Sequence, residues 1–505
     1  MFARSWIATV CALMTLFACP TRADQGDVSM QPKIAQPGSG VFSTEAGPKL
    51  LVGASLLRPD SPLADALDRI GKRLHSAPPE AAGSTLPSAP FVLIGLVSDQ
   101  PALKQLKADR KRELPKGGLG AEGYLLDIAP QRILLTAEKP AGLYYGIQRL
   151  LNQSDQGTSL PCAKIADWPE MRLRGLHVLV GSRNSLPAIE KLLTEIMPQL
   201  RMNQLLLEID YNYQFQSHPE VASADGLTFD DCRRLHALAR ANFIRIIPLI
   251  NCLGHQSWAK STFSLLKTHP EFDETPDLPL DNPGIYCRSW CPSNPAIYPF
   301  LDALFDEVID AFQADAVHVG MDEVFILGKC SCCTGQENAA LFAKAVNGLH
   351  AHLVGKRKVQ MMMWGDRLLD NATMKYGEWE SSINGTAAAI EKIPKDIVLC
   401  DWHYEVQDDF PSVKYFEQEG FQVWPSGWNR EENVRQFTAC ALKNGGPKMV
   451  GYLATTWESP DAIVNGYARD PSLPPANVRE NARGQNLVKA IRTGARIAWE
   501  GASRP

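Results

Sequence analysis

Beyond Trp168-Pro169 the chain repeats one unit: a short apolar run, a loop, then a longer amphipathic stretch. Apolar runs at 174–180, 204–210, 244–250, 316–320, 359–364, 396–402, 421–425 and 449–456 are predicted as strands. Helices are predicted at 187–200, 229–242, 295–313, 336–356, 384–392, 411–419 and 431–443, with a last one within 476–499. Parallel neighbours need a crossover long enough to return the chain, and a helix supplies it. Eight such strand–helix units close into a (β/α)8 TIM barrel. The alternative is a doubly wound open sheet, but no Gly-x-Gly-x-x-Gly turn follows any of these strands to support it.

The barrel is assigned to 166–505, and a small α+β domain to 49–165. In that domain Phe91–Leu96 reads as a strand, and 123–128 with 131–136 as a hairpin about Ala129-Pro130. Leu143, Ile147, Leu150 and Leu151 line one face of a helix over 141–152. Residues 24–48, rich in Pro, Gly, Gln and Ser, read as a flexible N-terminal tail. Residues 1–23 read as a signal peptide. Arg4 precedes an apolar run from Trp6 to Ala18 that is too short to span a bilayer, and small residues surround a cleavage site near Ala23. The expected location is therefore periplasmic or extracellular. Leu16-Phe17-Ala18-Cys19 also leaves lipoprotein anchoring at Cys19 open. No other run is long enough to cross a membrane.

With 45% hydrophobic residues, a chain of this length buries a sizeable core. The net charge of −5, without a long basic run, argues against nucleic acid as the partner. Ten of the twelve cysteines lie beyond the signal segment. Cys287 and Cys291 bracket one loop, while Cys330, Cys332 and Cys333 crowd another. In an exported protein these are expected as disulfides within or between the loops. A structural metal held by thiolates from the two groups is the alternative.

Strand C-termini of such a barrel open into one mouth, where chemistry resides. The residues at or just beyond these strand ends are Asp210, His255, Asp322-Glu323, Trp364 with Asp366, Trp402-His403-Tyr404, Trp424, Trp428 and Trp457-Glu458. Flat sugar faces stack on aromatic rings, and sugar hydroxyls pair with carboxylates and imidazoles. Two adjacent acids at the exit of Ala316–Val319 disfavour one another's ionisation, so one pKa is expected to rise. A carboxylic acid kept protonated near neutral pH is what glycoside cleavage needs at the leaving oxygen.

The segment His318-Val-Gly-Met-Asp-Glu323 resembles the catalytic motif of glycoside hydrolase family 20, the β-N-acetylhexosaminidases. Met171–His177, Asn203–Asp210, Ile247–His255, Met361–Asp366 and Tyr452–Glu458 resemble further strands of that family, in its order. The turn at His255 and Met321 are most similar to its hexosaminidase D-like branch. The resemblance implies exo-acting, retaining hydrolysis of non-reducing terminal β-linked GlcNAc or GalNAc, with the substrate's own acetamido group as nucleophile. Glu323 would be the general acid and Asp322 the partner of the acetamido N–H. Arg174 would bind sugar hydroxyls, and Asp210 with His255 would buttress the acid. Trp364 and Trp457 would wall the acetamido pocket. Asp366, Trp402, Tyr404, Trp428 and Glu458 complete the expected substrate site. The family's Tyr-x-Asp near strand seven is missing here, so Tyr404 or Asn429 is left to hold the acetamido carbonyl. No metal or cofactor is assigned to the chemistry, and the expected partner is a glycan or amino-sugar oligosaccharide. A catalytically weak carbohydrate-binding relative using the same mouth is the second reading. A metal-dependent hydrolase is the third, though no His-Glu-x-x-His set supports it.

Overall fold

The computed structural model describes residues 30–58, 60–88, 90–154, 158–468 and 478–502. The segment expected as a signal peptide, with Cys19, lies outside the described residues. The first unit is a seven-stranded sheet in the order β1-β7-β5-β6-β4-β2-β3. These are β1 (Ile34–Ser43), β2 (Lys49–Val52), β3 (Glu80–Ala81), β4 (Phe91–Leu96), β5 (Tyr124–Ala129), β6 (Arg132–Ala137) and β7 (Ser159–Asp167). The helix Pro140–Ser154 packs against it through buried Leu143, Ile147 and Leu150.

The α+β domain therefore begins earlier than its composition suggests. Part of the expected tail, 34–43, is an edge strand paired antiparallel with β7, from Ile34 opposite Ala166 to Ser43 opposite Ser159. Pro37, Gly38 and Gly40 disguise it in the sequence. An edge strand tolerates Pro, and the register shift between Pro37 and Val41 is the irregularity such residues introduce.

The second unit is a closed parallel barrel in the order β10-β13-β14-β15-β16-β17-β8-β9. Its strands are β8 (Leu173–Leu179), β9 (Gln204–Glu208), β10 (Arg245–Cys252), β13 (Ala316–Gly320), β14 (Gln360–Trp364), β15 (Val398–Trp402), β16 (Gln422–Gly427) and β17 (Gly451–Ala454). A two-residue ribbon, β11 (Ser257–Trp258) with β12 (Ser261–Thr262), interrupts the loop after β10. All eight predicted barrel strands are present. The helix Phe229–Ala241 starts on a capping box: Thr228 Oγ1 accepts from the Asp231 backbone N–H, and the Asp231 carboxylate accepts from that of Thr228. Such a cap contributes about 1 kcal/mol.

The barrel is filled, not hollow. Leu206, Ile247, Leu249, Met362, Val398 and Leu453 interdigitate inside it with Trp424. A Cβ on Gly175 would sit 2.4 Å from the Trp424 ring, so β8 needs glycine there to admit the indole. Trp424 is thus core and does not face the mouth, contrary to expectation.

Arg174 is corrected as well. It is the second residue of β8, at the end of the barrel opposite the strand C-termini, and its side chain is wholly buried. Its Nη1 pairs with Glu122 at 2.8 Å, Nη2 donates to the Tyr145 hydroxyl at 3.1 Å, and Nε donates to the Arg201 carbonyl at 2.7 Å. It therefore joins the small domain to the barrel and binds no sugar. Arg201 pairs with Asp167 of β7 at the same junction, and Trp499 Nε1 lies 3.1 Å from that carboxylate. The next arginine beyond β8 is Arg183. It is half-exposed and held by Asp231 at 2.7 Å.

Candidate active site

β13 delivers the acid pair. His318, on this strand, accepts the Gly320 N–H at 3.1 Å, and the chain then turns through a left-handed Met321 (φ 77°) and a left-handed Glu323 (φ 48°). Asp210, His255 and Trp457 are also left-handed, at φ 44°, 53° and 51°. Non-glycine residues enter this region rarely, and each costs about 1–3 kcal/mol. Four of the expected site residues, from four different barrel loops, share this strain.

His255 sits between the two acids. Its Nε2 lies 3.1 Å from Glu323 Oε2 and 3.3 Å from Asp322 Oδ2, and all three side chains are largely buried. The turn allows this approach because Gly254 lacks a side chain. A Cβ there would meet the Asp322 carbonyl at 2.7 Å. Burial disfavours the His255 cation, but the two carboxylates outweigh it and hold the imidazole well above its usual pKa. Burial likewise works against the Asp322 anion, yet the His255 charge outweighs burial and holds Asp322 below the ordinary carboxylate range. The expectation that two adjacent acids would raise one another's pKa is therefore not met at Asp322, because an imidazolium lies beside it.

The raised carboxyls are elsewhere. Burial, with the Glu208 charge adding to it, pushes Asp210 up to about 7, against hydrogen bonds from Asn251. Asp366 is pushed up to about 6, chiefly by burial; Arg367 opposes the rise and the Asp322 charge adds to it. Asp366 also anchors the catalytic turn. Its Oδ2 accepts the Glu323 N–H at 3.0 Å, and its Oδ1 lies 3.3 Å from Trp402 Nε1.

Several buried polar atoms of this site have no hydrogen-bond partner, His318 Nε2 and Trp364 Nε1 among them. Asp322 Oδ1 is buried and has no hydrogen-bond partner. An unsatisfied carboxylate oxygen is expensive to bury, so a donor on a ligand is its natural complement.

The aromatic residues form the rest of the mouth. Trp364 lies between His318 (4.6 Å between ring centroids) and Trp457 (5.7 Å). Trp457 Nε1 donates to the Tyr404 hydroxyl at 2.8 Å, and Tyr404 stacks at a tilt on Trp402 (4.9 Å) and Trp428 (5.3 Å). Trp428 Nε1 donates to the Thr456 carbonyl at 2.8 Å, which fixes the loop leading into Trp457-Glu458. Glu458 is half-buried at the exit of β17. Asp210 joins through Asn251, whose backbone N–H it accepts at 2.8 Å. His403 is different. It is fully buried and tied to Glu380 at 2.7 Å and Ser412 at 2.9 Å, so it supports the loop after β15. Of the residues expected at the mouth, Arg174, Trp424 and His403 stand apart from the acid pair.

Several mouth residues escaped the sequence reading. His177 Nε2 lies 2.9 Å from Glu208 Oε2, and Asn251 Nδ2 donates to Glu208 Oε1 at 2.9 Å, so these three buttress Asp210 from below. They occupy strand positions, where their polarity was the available signal. Tyr286, Trp258, Phe325 and Trp379 make edge contacts with one another beside Glu323, and Trp258 and Trp379 are about half exposed. They come from long loops whose course no periodicity reveals.

An acid pair bridged by an imidazole and walled by indoles, at the C-terminal mouth of a (β/α)8 barrel, defines a barrel glycosidase in class. A model of the glycosyl hydrolase family 20 catalytic domain matches residues 195–459, and one of that family's domain 2 matches residues 31–168. The chain belongs to glycosyl hydrolase family 20. A lacto-N-biosidase of Bifidobacterium bifidum is 24% identical over 348 residues, which cover 65% of this chain and 28% of that protein. A β-hexosaminidase of Akkermansia muciniphila is 27% identical over 263 residues, covering 46% of this chain and 52% of that one. The chain thus matches about half or less of the length of these relatives. In fold it is similar to the chitobiase of Flavobacterium johnsoniae (TM-score 0.64, 20% identity, 91% of this chain and 69% of that one). It is likewise similar to a β-N-acetylhexosaminidase of Streptomyces coelicolor (TM-score 0.62, 16% identity, 93% and 90%).

Proposed function

We propose that this protein is an exo-acting β-N-acetylhexosaminidase that removes non-reducing terminal β-linked GlcNAc or GalNAc with retention, assisted by the substrate's 2-acetamido group. The observation that carries the reading is the unpartnered Asp322 Oδ1, buried beside Glu323. An acetamido N–H supplies the donor this oxygen lacks. Held in that bond, the acetamido oxygen is turned towards the anomeric carbon, and the carboxylate stabilises the positive charge of the oxazolinium that forms. Glu323 gives its proton to the departing glycosidic oxygen and then takes one from the attacking water. His255 holds both carboxyl groups in place. Tyr404, fixed by Trp457 Nε1, is oriented to donate to the acetamido carbonyl, the role left open between it and Asn429. Trp364 and Trp457 wall that pocket. Export to the periplasm or beyond belongs to the same proposal.

The test is release of chromophore from aryl β-N-acetylglucosaminide, β-N-acetylgalactosaminide and plain β-glucoside. We expect turnover of an acetamido sugar alone, lowered about 10²–10⁴-fold in Glu323→Gln with the fold unchanged. Equal turnover by the variant would refute the assignment. Sugar binding without hydrolysis by the wild type would favour a binding relative.

A further inference from the structure

Seven residues beyond Glu323 the chain makes a tight turn in which the Cys333 and Thr334 N–H groups both point to the Cys330 carbonyl, at 3.1 and 2.9 Å. This Cys330-x-x-Cys333 turn aims two buried thiols at a third, Cys291, from the long loop after β10. Cys291 Sγ lies 3.3 Å from Cys330 Sγ and 3.4 Å from Cys333 Sγ. The fourth corner is a carboxylate. Glu274 is fully buried, its Oε2 accepts the backbone N–H groups of Lys329 and Cys330, and its Oε1 has no hydrogen-bond partner. Ligand atoms of all four residues lie within 4.8 Å of one another. Cys287, expected to join this group, instead approaches the Glu323 carbonyl, and Cys332 is exposed. All the described cysteines are free thiols, so the expected disulfides are not formed in this structure.

We propose that Cys291, Cys330, Cys333 and Glu274 bind a structural zinc ion. Three sulfurs and one oxygen within 4.8 Å of one another supply the four ligands of a closed tetrahedral site, which suits zinc and leaves no open position for chemistry. Tetrahedral Zn–S bonds of ~2.3 Å place sulfurs ~3.8 Å apart, so the thiols need only spread by a few tenths of an ångström. A disulfide would use two of the three sulfurs and leave the third thiol and Glu274 outside the link. On binding, the three thiols release their protons and the ion fills the place of the missing donor. The supports are already rigid. Arg288, fully buried, clasps Asp273 beside Glu274, and the Glu274 N–H donates to the Ser289 carbonyl at 3.0 Å. The ion would fasten the loop that begins with Asp322-Glu323 to the loop that carries His255 and Tyr286. It is a staple behind the acid pair, not a participant in the reaction.

The experiment is metal analysis and cobalt substitution of the full chain. Purified protein, reduced and then exchanged into zinc or cobalt(II), should take up one equivalent that survives desalting. The cobalt form should show the intense thiolate-to-metal absorption of tetrahedral sulfur coordination. Cys330→Ser should abolish both, and Cys332→Ser should leave both intact. If Cys330→Ser does not fold, the wild type still decides the matter: denaturation in a chelator should release one equivalent of metal that the native form retains through desalting. Failure of the reduced wild type to take up either metal would overturn the proposal, as would uptake that Cys332→Ser removes.

Discussion

Replacing Arg174 by Met distinguishes a residue that joins domains from one that binds sugar. The guanidinium is 0% exposed and makes five hydrogen bonds, to Glu122, Tyr145 and the carbonyls of Met171, Arg172 and Arg201. It also lies over the Trp499 ring at 5.0 Å. Methionine keeps much of the volume but strips Glu122 of its counter-charge and orphans the carbonyls. Removing one partner of a buried ion pair costs about 3–5 kcal/mol, most of it the penalty of the charge left behind. We expect a loss of that size in urea unfolding followed by tryptophan fluorescence, to which Trp499 reports directly. Below the transition, kcat and KM on the aryl acetamido-glycoside should match the wild type. The double variant Arg174→Met/Glu122→Met should recover part of the loss, because the stranded carboxylate goes too. Unchanged stability with a raised KM would refute this and return Arg174 to the sugar.

Two further outcomes follow from the mouth. The Asp210 carboxyl titrates at about 7 in the fold against 3.8 ordinarily, so between those values the native state holds a proton that the unfolded chain has lost. Its contribution is fully present below the ordinary value and disappears as pH rises through about 7, so stability falls over that window. Asp210→Asn should flatten the fall in urea midpoint over that window; parallel profiles would contradict the shift. Tyr404→Phe removes the donor expected at the acetamido carbonyl and should lower kcat/KM by about 10–100-fold, the worth of one hydrogen bond in a closed site. An unchanged kcat/KM on the acetamido sugars would leave that role to another group.

The barrel was legible because its period is coarse and its strands are unbroken runs such as Leu205–Leu207 and Met361–Met363. The acid pair was legible through its context, His318-Val-Gly-Met-Asp-Glu323, since two adjacent acids alone also suit the start of a helix. The edge strand at 34–43 was not, since pairing at a sheet edge relaxes the residue preferences that betray an inner strand. Arg174 misled because which end of a strand faces the mouth depends on the strand's bounds, and it stands at the first turn of hydrogen bonding, not the last. Glu274 lies far in sequence from the thiols it joins, so no spacing announces it. The imidazolium between Asp322 and Glu323 inverted an argument from two neighbours that was sound for two acids alone.

The left-handed backbone at Asp210, His255, Glu323 and Trp457 narrows how this mouth can evolve. A β-branched residue is nearly shut out of that conformation, so Val, Ile and Thr are closed to these positions whatever their polarity. Substitution there can wander only among Gly, Asn, Asp, His and unbranched side chains, few of which can do the same work. The chemistry is thereby locked to its loops by geometry as much as by reactivity. New substrate preferences must arise where the backbone is unconstrained in this way, at places such as Trp379 and Tyr286, which can change without asking the catalytic turns to refold.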